Sequence, residues 1–377
     1  MRVISYHPLH LRWSTRDWLL LFTALLLAAF IYGIGRQAVV VPDSLYDAKL
    51  SAARSMEQCM EAVRMQKEAL GLEIDPMDYH KTGMLGQDYS PITTTLGAPE
   101  AKRTSSHPDM AALVLDLLVR AGVGPGDRVG AVFSGSFPSL NLAVLAACQE
   151  LKADCYFIAS IGSSTYGANQ PEFTFPDMVA YLMENGLVNG HCLAVTPGGD
   201  QDVGLEMDPQ VLDGILRRME EYGFPVMLQP DYSANLKMRM ELLEEGGPLD
   251  CFVNVGGNLT SMGRGDSAYY LGQGLLASKP AAICQNSGLI ERYCAKGVPV
   301  INLLNLKKLT AEYGLPYDPS TPPIPGTTAI YYQLQYNYLL CYIALILAVG
   351  LLLVYRLWGK REKQKLLQQW FHPSCGG

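Results

Sequence analysis

The amino-acid sequence predicts an α/β protein: a doubly wound, mostly parallel, Rossmann-like sheet, flanked by one membrane-spanning helix near each end. Three observations lead there. Short apolar runs alternate with helical patterns of about 10–15 residues between Asp109 and Leu303. Gly- and Ser-rich loops follow the apolar runs. Two apolar stretches stand near the two ends, each close to the ~20 residues that cross ~30 Å of hydrocarbon.

The first stretch runs from about Trp18 to Gly35 and the second from about Tyr338 to Trp358. Trp13 and Trp18, then Tyr338, Tyr342, Tyr355 and Trp358, sit where an interfacial aromatic belt would place them. The first stretch lacks a clear small-x-small cleavage site, since Tyr32-Gly33-Ile34-Gly35-Arg36 follows it.

Composition agrees. Of 377 residues, 49% are hydrophobic and 17% charged, against roughly 25% charged in an ordinary soluble domain. That excludes a disordered chain. With 29 Lys+Arg against 36 Asp+Glu, a basic nucleic-acid binder is excluded as well. The net charge of −7 is unevenly spread. Residues 1–36 hold Arg2, Arg12, Arg16 and Arg36 against Asp17, a net of +3, and residues 337–377 carry +4. The intervening 300 residues therefore carry −14. Basic flanks resist translocation, so both termini are expected in the cytoplasm and the acidic middle outside.

The expected organisation follows. Residues 1–17 form a basic tail, 18–35 a membrane helix, and 36–80 an amphipathic stalk helix with a linker. An α/β domain covers 81–317, a Pro-rich linker 318–337, a second membrane helix 338–358, and a basic tail 359–377. In the stalk region, Leu45, Lys49, Ala52, Met56, Met60 and Val63 form a stripe at helical spacing over Ser44–Leu72, standing free or packing on the domain. Residues 75–108 read as loop. Asp109–Ala121 reads as helix, with Pro108 and an acid at its start.

The alternation then gives strands at Arg128–Phe133, Cys155–Ala159, Cys192–Val195, Val226–Leu228, Cys251–Val255, Ala281–Cys284 and Val298–Leu303. Helices fall at Ser139–Leu151, Pro176–Asn185, Pro209–Tyr222, Ser233–Glu245 and between Gly288 and Lys296. The cysteines of the middle domain are odd in number and lie mostly in apolar runs, so they read as buried thiols rather than a disulfide framework.

Ligands of open α/β sheets bind outside the carboxyl ends of the strands. Five small-residue loops are expected there. They contribute Ser134, Gly135 and Ser136; Ser163, Ser164, Thr165 and Asn169; Gly198 and Gly199; Asn254, Gly256 and Gly257; and Asn286 and Ser287. Arg103 is the leading ligand-binding cation, with Lys102 and Arg264 as further candidates.

The catalytic candidates are Ser136, His107 and Asp200. Ser136 lacks a G-x-S-x-G setting, and His191 directly precedes a strand, where a structural role is the default. Glu172, Asp177 and Asp202 are loop carboxylates. No phosphate-loop fingerprint or zinc-ligand spacing occurs, so no cofactor and no metal are expected.

Several runs resemble the poly-γ-glutamate system protein family, membrane proteins of bacterial poly-γ-glutamate synthesis loci. They are Glu100–Ser106, Ser134–Asn141, Gly162–Asn169, Val253–Gly257 and Gly297–Ile301. The resemblance covers roughly residues 80–325. It implies a bacterial cell-membrane protein that helps make, export or anchor a γ-linked glutamate polymer at the cell surface. Partners would be the polymer or its synthase and export subunits. An alternative is an enzyme cleaving or transferring γ-glutamyl amide bonds. The polymer is a polyanion and the middle domain is acidic, so any binding must come from local contacts.

Overall fold

The computed structural model describes residues 14–265, 271–276 and 282–371. The chain divides into two units, Pro42–Tyr332 and the two terminal segments. In chain order the elements begin with α1 (Thr15–Arg36), β1 (Val39–Pro42), α2 (Tyr46–Ala69), β2 (Thr93–Thr95), α3 (Pro99–Ser105), α4 (Asp109–Arg120), β3 (Arg128–Phe133) and α5 (Pro138–Leu151). Next come β4 (Asp154–Ser160), β5 (Ser163–Ser164), α6 (Phe175–Glu184), β6 (His191–Thr196), α7 (Pro209–Glu221), α8 (Tyr232–Glu244), β7 (Cys251–Val255) and α9 (Leu259–Met262). The last are β8 (Gly274–Leu276), α10 (Leu289–Ala295), β9 (Val300–Leu303), α11 (Leu306–Tyr313), β10 (Tyr332–Gln335) and α12 (Tyr338–Phe371).

Six strands form the central sheet in the order β6-β4-β3-β7-β9-β8. Five are parallel, and β8 pairs antiparallel with β9. The continuous apolar runs of the inner strands reflect burial on both faces. Along β3, Val129, Ala131 and Phe133 pack with α2, α4 and α5, while Val132 points to the other face, against residues of α8 and α10. The α6 start is fixed by a Thr174–Asp177 capping box with Pro176 in its first turn.

Several expectations change, and the alternative left open for α2 is decided. Residues 282–284 are not a strand. Ser287 Oγ accepts the Cys284 N–H at 3.2 Å, which turns the run into a loop, and Ala281 lies outside the described residues. The edge strand is β8 instead. Val226–Leu228 supplies one isolated bridge, Val195 to Val226. The stripe of α2 is core: Ala52, Met56, Cys59 and Val63 are buried against α4 and α5. The Pro-rich segment is not a free linker. Arg103 grips Asp318 through two bonds of 2.7 Å, and the carbonyl of Pro323 accepts from His107 at 3.0 Å. Thr328 and Tyr331 donate to the buried Asp109 carboxylate at 2.6 and 2.5 Å.

In the terminal unit, α1 and α12 pack together. Both are long and apolar enough to cross a membrane, with mean hydropathy of 2.2 and 2.5 over their most apolar stretches. Arg16 lies 4.5 Å over the Tyr355 ring and 3.6 Å from Glu362.

Among the described residues the cysteines are free. Cys59, Cys148, Cys155 and Cys251 are buried, while Cys284 is exposed. Its neighbour Ser287 hydrogen-bonds the Cys284 thiol and lowers its pKa, whereas burial pushes Cys59 up to about 11. Cys375 lies outside the described residues.

Candidate functional site

A cavity of about 350 Å³ opens at the carboxyl ends of β6, β4, β3 and β7. Successive loops line it: Gly198, Gly199, Asp200, Asp202 and Glu206 after β6, and Ser160 and Gly162 after β4. Ser134 and Ser136 follow β3, and Gly257, Asn258, Leu259 and Thr260 follow β7. Thr94 and Thr95 complete it. They sit on β2, which pairs parallel with β5 beside the main sheet.

The cavity gathers Ser134, Ser136, Gly198, Gly199, Asp200 and Gly257 of the expected set. Gly135, Ser163, Ser164, Thr165, Asn169, Asn254 and Gly256 of that set pack behind it. Gly135 is pressed against backbone: its carbonyl accepts from Ser163 Oγ at 3.0 Å and from Ala168 N at 2.8 Å. A Cβ there would stand 2.8 and 2.9 Å from the carbonyls of Gly162 and Ile161. Gly135→Ala is therefore expected to cost about 1–3 kcal/mol by overpacking. A thermal midpoint equal to wild type would refute it.

Thr165 Oγ1 brackets Gly97, accepting from its N–H at 2.7 Å and donating to its carbonyl at 3.0 Å. Asn169 brackets Gln87 in the same way, at 2.8 Å twice. Asn254 donates to Asn302 Oδ1 and to the Gly256 carbonyl, both at 2.9 Å, and Gly256 turns with φ +84°.

Asn286 and Ser287 do not reach the cavity, because their loop does not leave a parallel strand. The Asn286 carbonyl instead accepts from Arg264 N at 2.7 Å. Arg264 stacks on Tyr232, its guanidinium carbon 4.3 Å from the ring centre.

Arg103 is not a ligand cation: its fork is spent on Asp318 and its face on Tyr79. The bond from Arg103 holds the Asp318 carboxyl below the usual carboxylate range. His107 is structural too. Its Nδ1 accepts from Asp109 N at 3.1 Å, which leaves Nε2–H to donate to Pro323. Burial lowers its pKa, which suits a neutral ring. His191 stacks on Tyr156 at the start of β6, the edge opposite the cavity. Asp177 caps α6 and pairs with Arg218 at 2.6 Å.

Ser136 has its Oγ half-exposed in the cavity, accepting from Ser164 N at 2.9 Å. None of the described histidines or carboxylates hydrogen-bonds it. Beneath it lies Lys102, 3% exposed. Its Nζ donates to the Ser136 carbonyl and, at 2.7 Å, to Ser164 Oγ, and it sits 3.7 Å over the Phe137 ring. Burial without a carboxylate partner pulls its pKa down to about 7.

Thr94, Thr95 and Glu206 escaped the sequence reading, whereas Asn258 and Thr260 belong to the expected loop after Cys251–Val255. The β-branched run Thr93-Thr94-Thr95 is a strand signal for the first two. Nothing local marks Glu206, whose carboxylate accepts the Asp200 N–H at 2.8 and 3.0 Å. Among the described residues no group of three His, Cys, Asp or Glu could hold a metal.

Fold and site together define an α/β protein with a hydroxyl-lined cavity at the carboxyl ends of parallel strands and two apolar terminal helices. No family model, curated protein or solved structure matches the chain.

Proposed function

We propose that the chain is a membrane-anchored accessory protein of bacterial poly-γ-glutamate synthesis and export, holding the polymer or a synthase subunit in its Ser/Gly cavity. The observation that carries this reading is where the family-like runs fall. Ser134–Asn141 and Gly162–Asn169 interlock at the cavity floor through Ser136–Ser164, Ser163–Gly135 and Ala168–Gly135 bonds. Glu100–Ser106 brings Lys102 beneath them.

The strand order adds support for a doubly wound, Rossmann-like reading. The chain leaves β3 toward β4 on one side and returns to β7 on the other, so the cavity lies at the reversal point where such sheets bind ligands. The two apolar helices would anchor the protein, with basic termini in the cytoplasm and the acidic unit at the cell surface. Binding is favoured over amide hydrolysis because Ser136 has a backbone N–H, not a base, at its Oγ.

The test is incubation of the detergent-solubilised full chain with poly-γ-glutamate, following retention and chain length together. Retention at unchanged length is the expected result. Shortening that Ser136→Ala abolishes would replace this reading with the hydrolase, and neither effect would reject both.

A further inference from the structure

Resting on that reading, we infer that the cavity receives the amino end of a γ-linked glutamate chain, its ammonium against Asp200 and Glu206 and its carboxylate toward Ser134 and Ser136, above Lys102. Two unpaired carboxylates line one small cavity, and one buried amine without a carboxylate partner lies behind its serine wall. Three carboxylates line it, and only Asp202 is neutralised, by Arg239 at 2.5 Å. Asp200 and Glu206 are exposed, and no cation of the described residues pairs with either. Their contacts are backbone ones: Asp200 N to Glu206, and Gln201 N to Asp200 Oδ1 at 3.0 Å.

On the other side, Lys102 is buried with no carboxylate of the described residues beside it. It grips the backbone and neighbour of Ser136, whose hydroxyl faces the cavity. A buried charge is screened far less than a surface one. Burial leaves Lys102 only partly protonated near neutral pH, and a carboxylate at the serine wall would favour its charged form.

A divalent cation would answer only the acids, and among the described residues no group of three His, Cys, Asp or Glu could hold one. A stretch of polymer interior carries carboxylates alone and is repelled by Asp200 and Glu206. Only the amino-terminal unit carries an ammonium and a carboxylate on one carbon. The volume of about 350 Å³ is at the small end for ligand sites, suited to an end group.

The experiment is calorimetric titration of the detergent-solubilised full chain. The probes are a γ-linked glutamate oligomer with a free amine, the same oligomer N-acetylated, and free glutamate. Acetylation is expected to weaken binding about tenfold or more, the size of a lost charged hydrogen bond. The double variant Asp200→Asn/Glu206→Gln should bind both oligomers equally and weakly, with its thermal midpoint showing that it is folded. Equal affinity of the two oligomers for wild type overturns the end-group inference and leaves the polymer reading standing. Binding of free glutamate that needs Asp200 and Glu206, without binding of either oligomer, keeps the charge pairing and overturns the polymer reading. No binding of any probe overturns both.

Discussion

Lys49→Met is expected to destabilise the α/β unit by about 3–5 kcal/mol, the cost of stranding a buried charge. The Lys49 side chain is 1% exposed and ties three segments together. Its Nζ reaches Asp43 at 2.5 Å, Asp116 at 2.8 Å and the Ile330 carbonyl at 2.9 Å. Methionine fills much of the same volume, so the loss is electrostatic rather than a cavity. Asp116 retains Arg120 at 2.9 Å, but that side chain is 59% exposed and compensates weakly.

Asp43 gives the effect a pH signature. Partial burial raises its carboxyl, and the bond and charge of Lys49, with the Leu45 N–H and Ser44 hydroxyl, outweigh this and hold it below its usual value. A depressed carboxylate stabilises the fold above its unfolded pKa, near 4, and loses that contribution as pH falls through the folded value. The destabilisation by Lys49→Met should therefore be full near neutral pH and shrink as pH falls through the folded value of Asp43. Circular dichroism of denaturant and acid titrations in detergent reads both effects. Adding Asp43→Asn should restore part of the stability. A midpoint unchanged by Lys49→Met would show that the cluster contributes nothing.

What was legible in the sequence is what is local and repetitive. The strands Arg128–Phe133 and Cys251–Val255 are short, largely apolar runs closed by Ser-Gly or Gly-Gly, and both stand where the pattern puts them. Helices with a proline and an acid in the first turn, such as Phe175–Glu184, were equally plain. The α3 helix was missed inside a loop-rich stretch, although Pro99-Glu100 is a helix-start signal. Apolarity alone misplaced the edge strand, because Ala281–Cys284 is apolar but ends against Ser287.

In the site, the hydroxyl loops were legible because they follow strands. The fates of the cations were not. Arg103 looked free because its partner Asp318 lies 215 residues away, and no periodicity reports a pairing that distant. The same limit left α2 open between a free stalk and a core element: a helical stripe shows which face is buried and not what covers it.

The cavity's own stability rests on another such distant pair, and Arg239→Leu should expose it. Arg239 is 1% exposed, with Nη2 at 2.5 Å from Asp202 Oδ2 and 3.2 Å from Thr196 Oγ1, and Nε at 2.8 Å from Asn235. Asp202 also accepts from Thr196 at 2.9 Å and Asn235 at 3.0 Å. These bonds hold a loop under backbone strain. Gln201 and Asp202 are both left-handed, with φ of 52° and 63°, a conformation non-glycine residues avoid.

Removing the guanidinium leaves the Asp202 carboxylate buried and unpaired, a loss of about 3–5 kcal/mol. The carboxylate can escape only toward water, into the cavity and beside Asp200 and Glu206. Two readouts should then move together. The thermal midpoint falls, and any carboxylate-bearing ligand of the cavity binds more weakly. Adding Asp202→Asn separates them. The neutral amide can keep hydrogen bonds to Thr196 and Asn235, so the double variant should regain stability without an added negative charge in the cavity. A single variant with wild-type stability, or a double variant no more stable than the single, would show that the ion pair does not hold this loop.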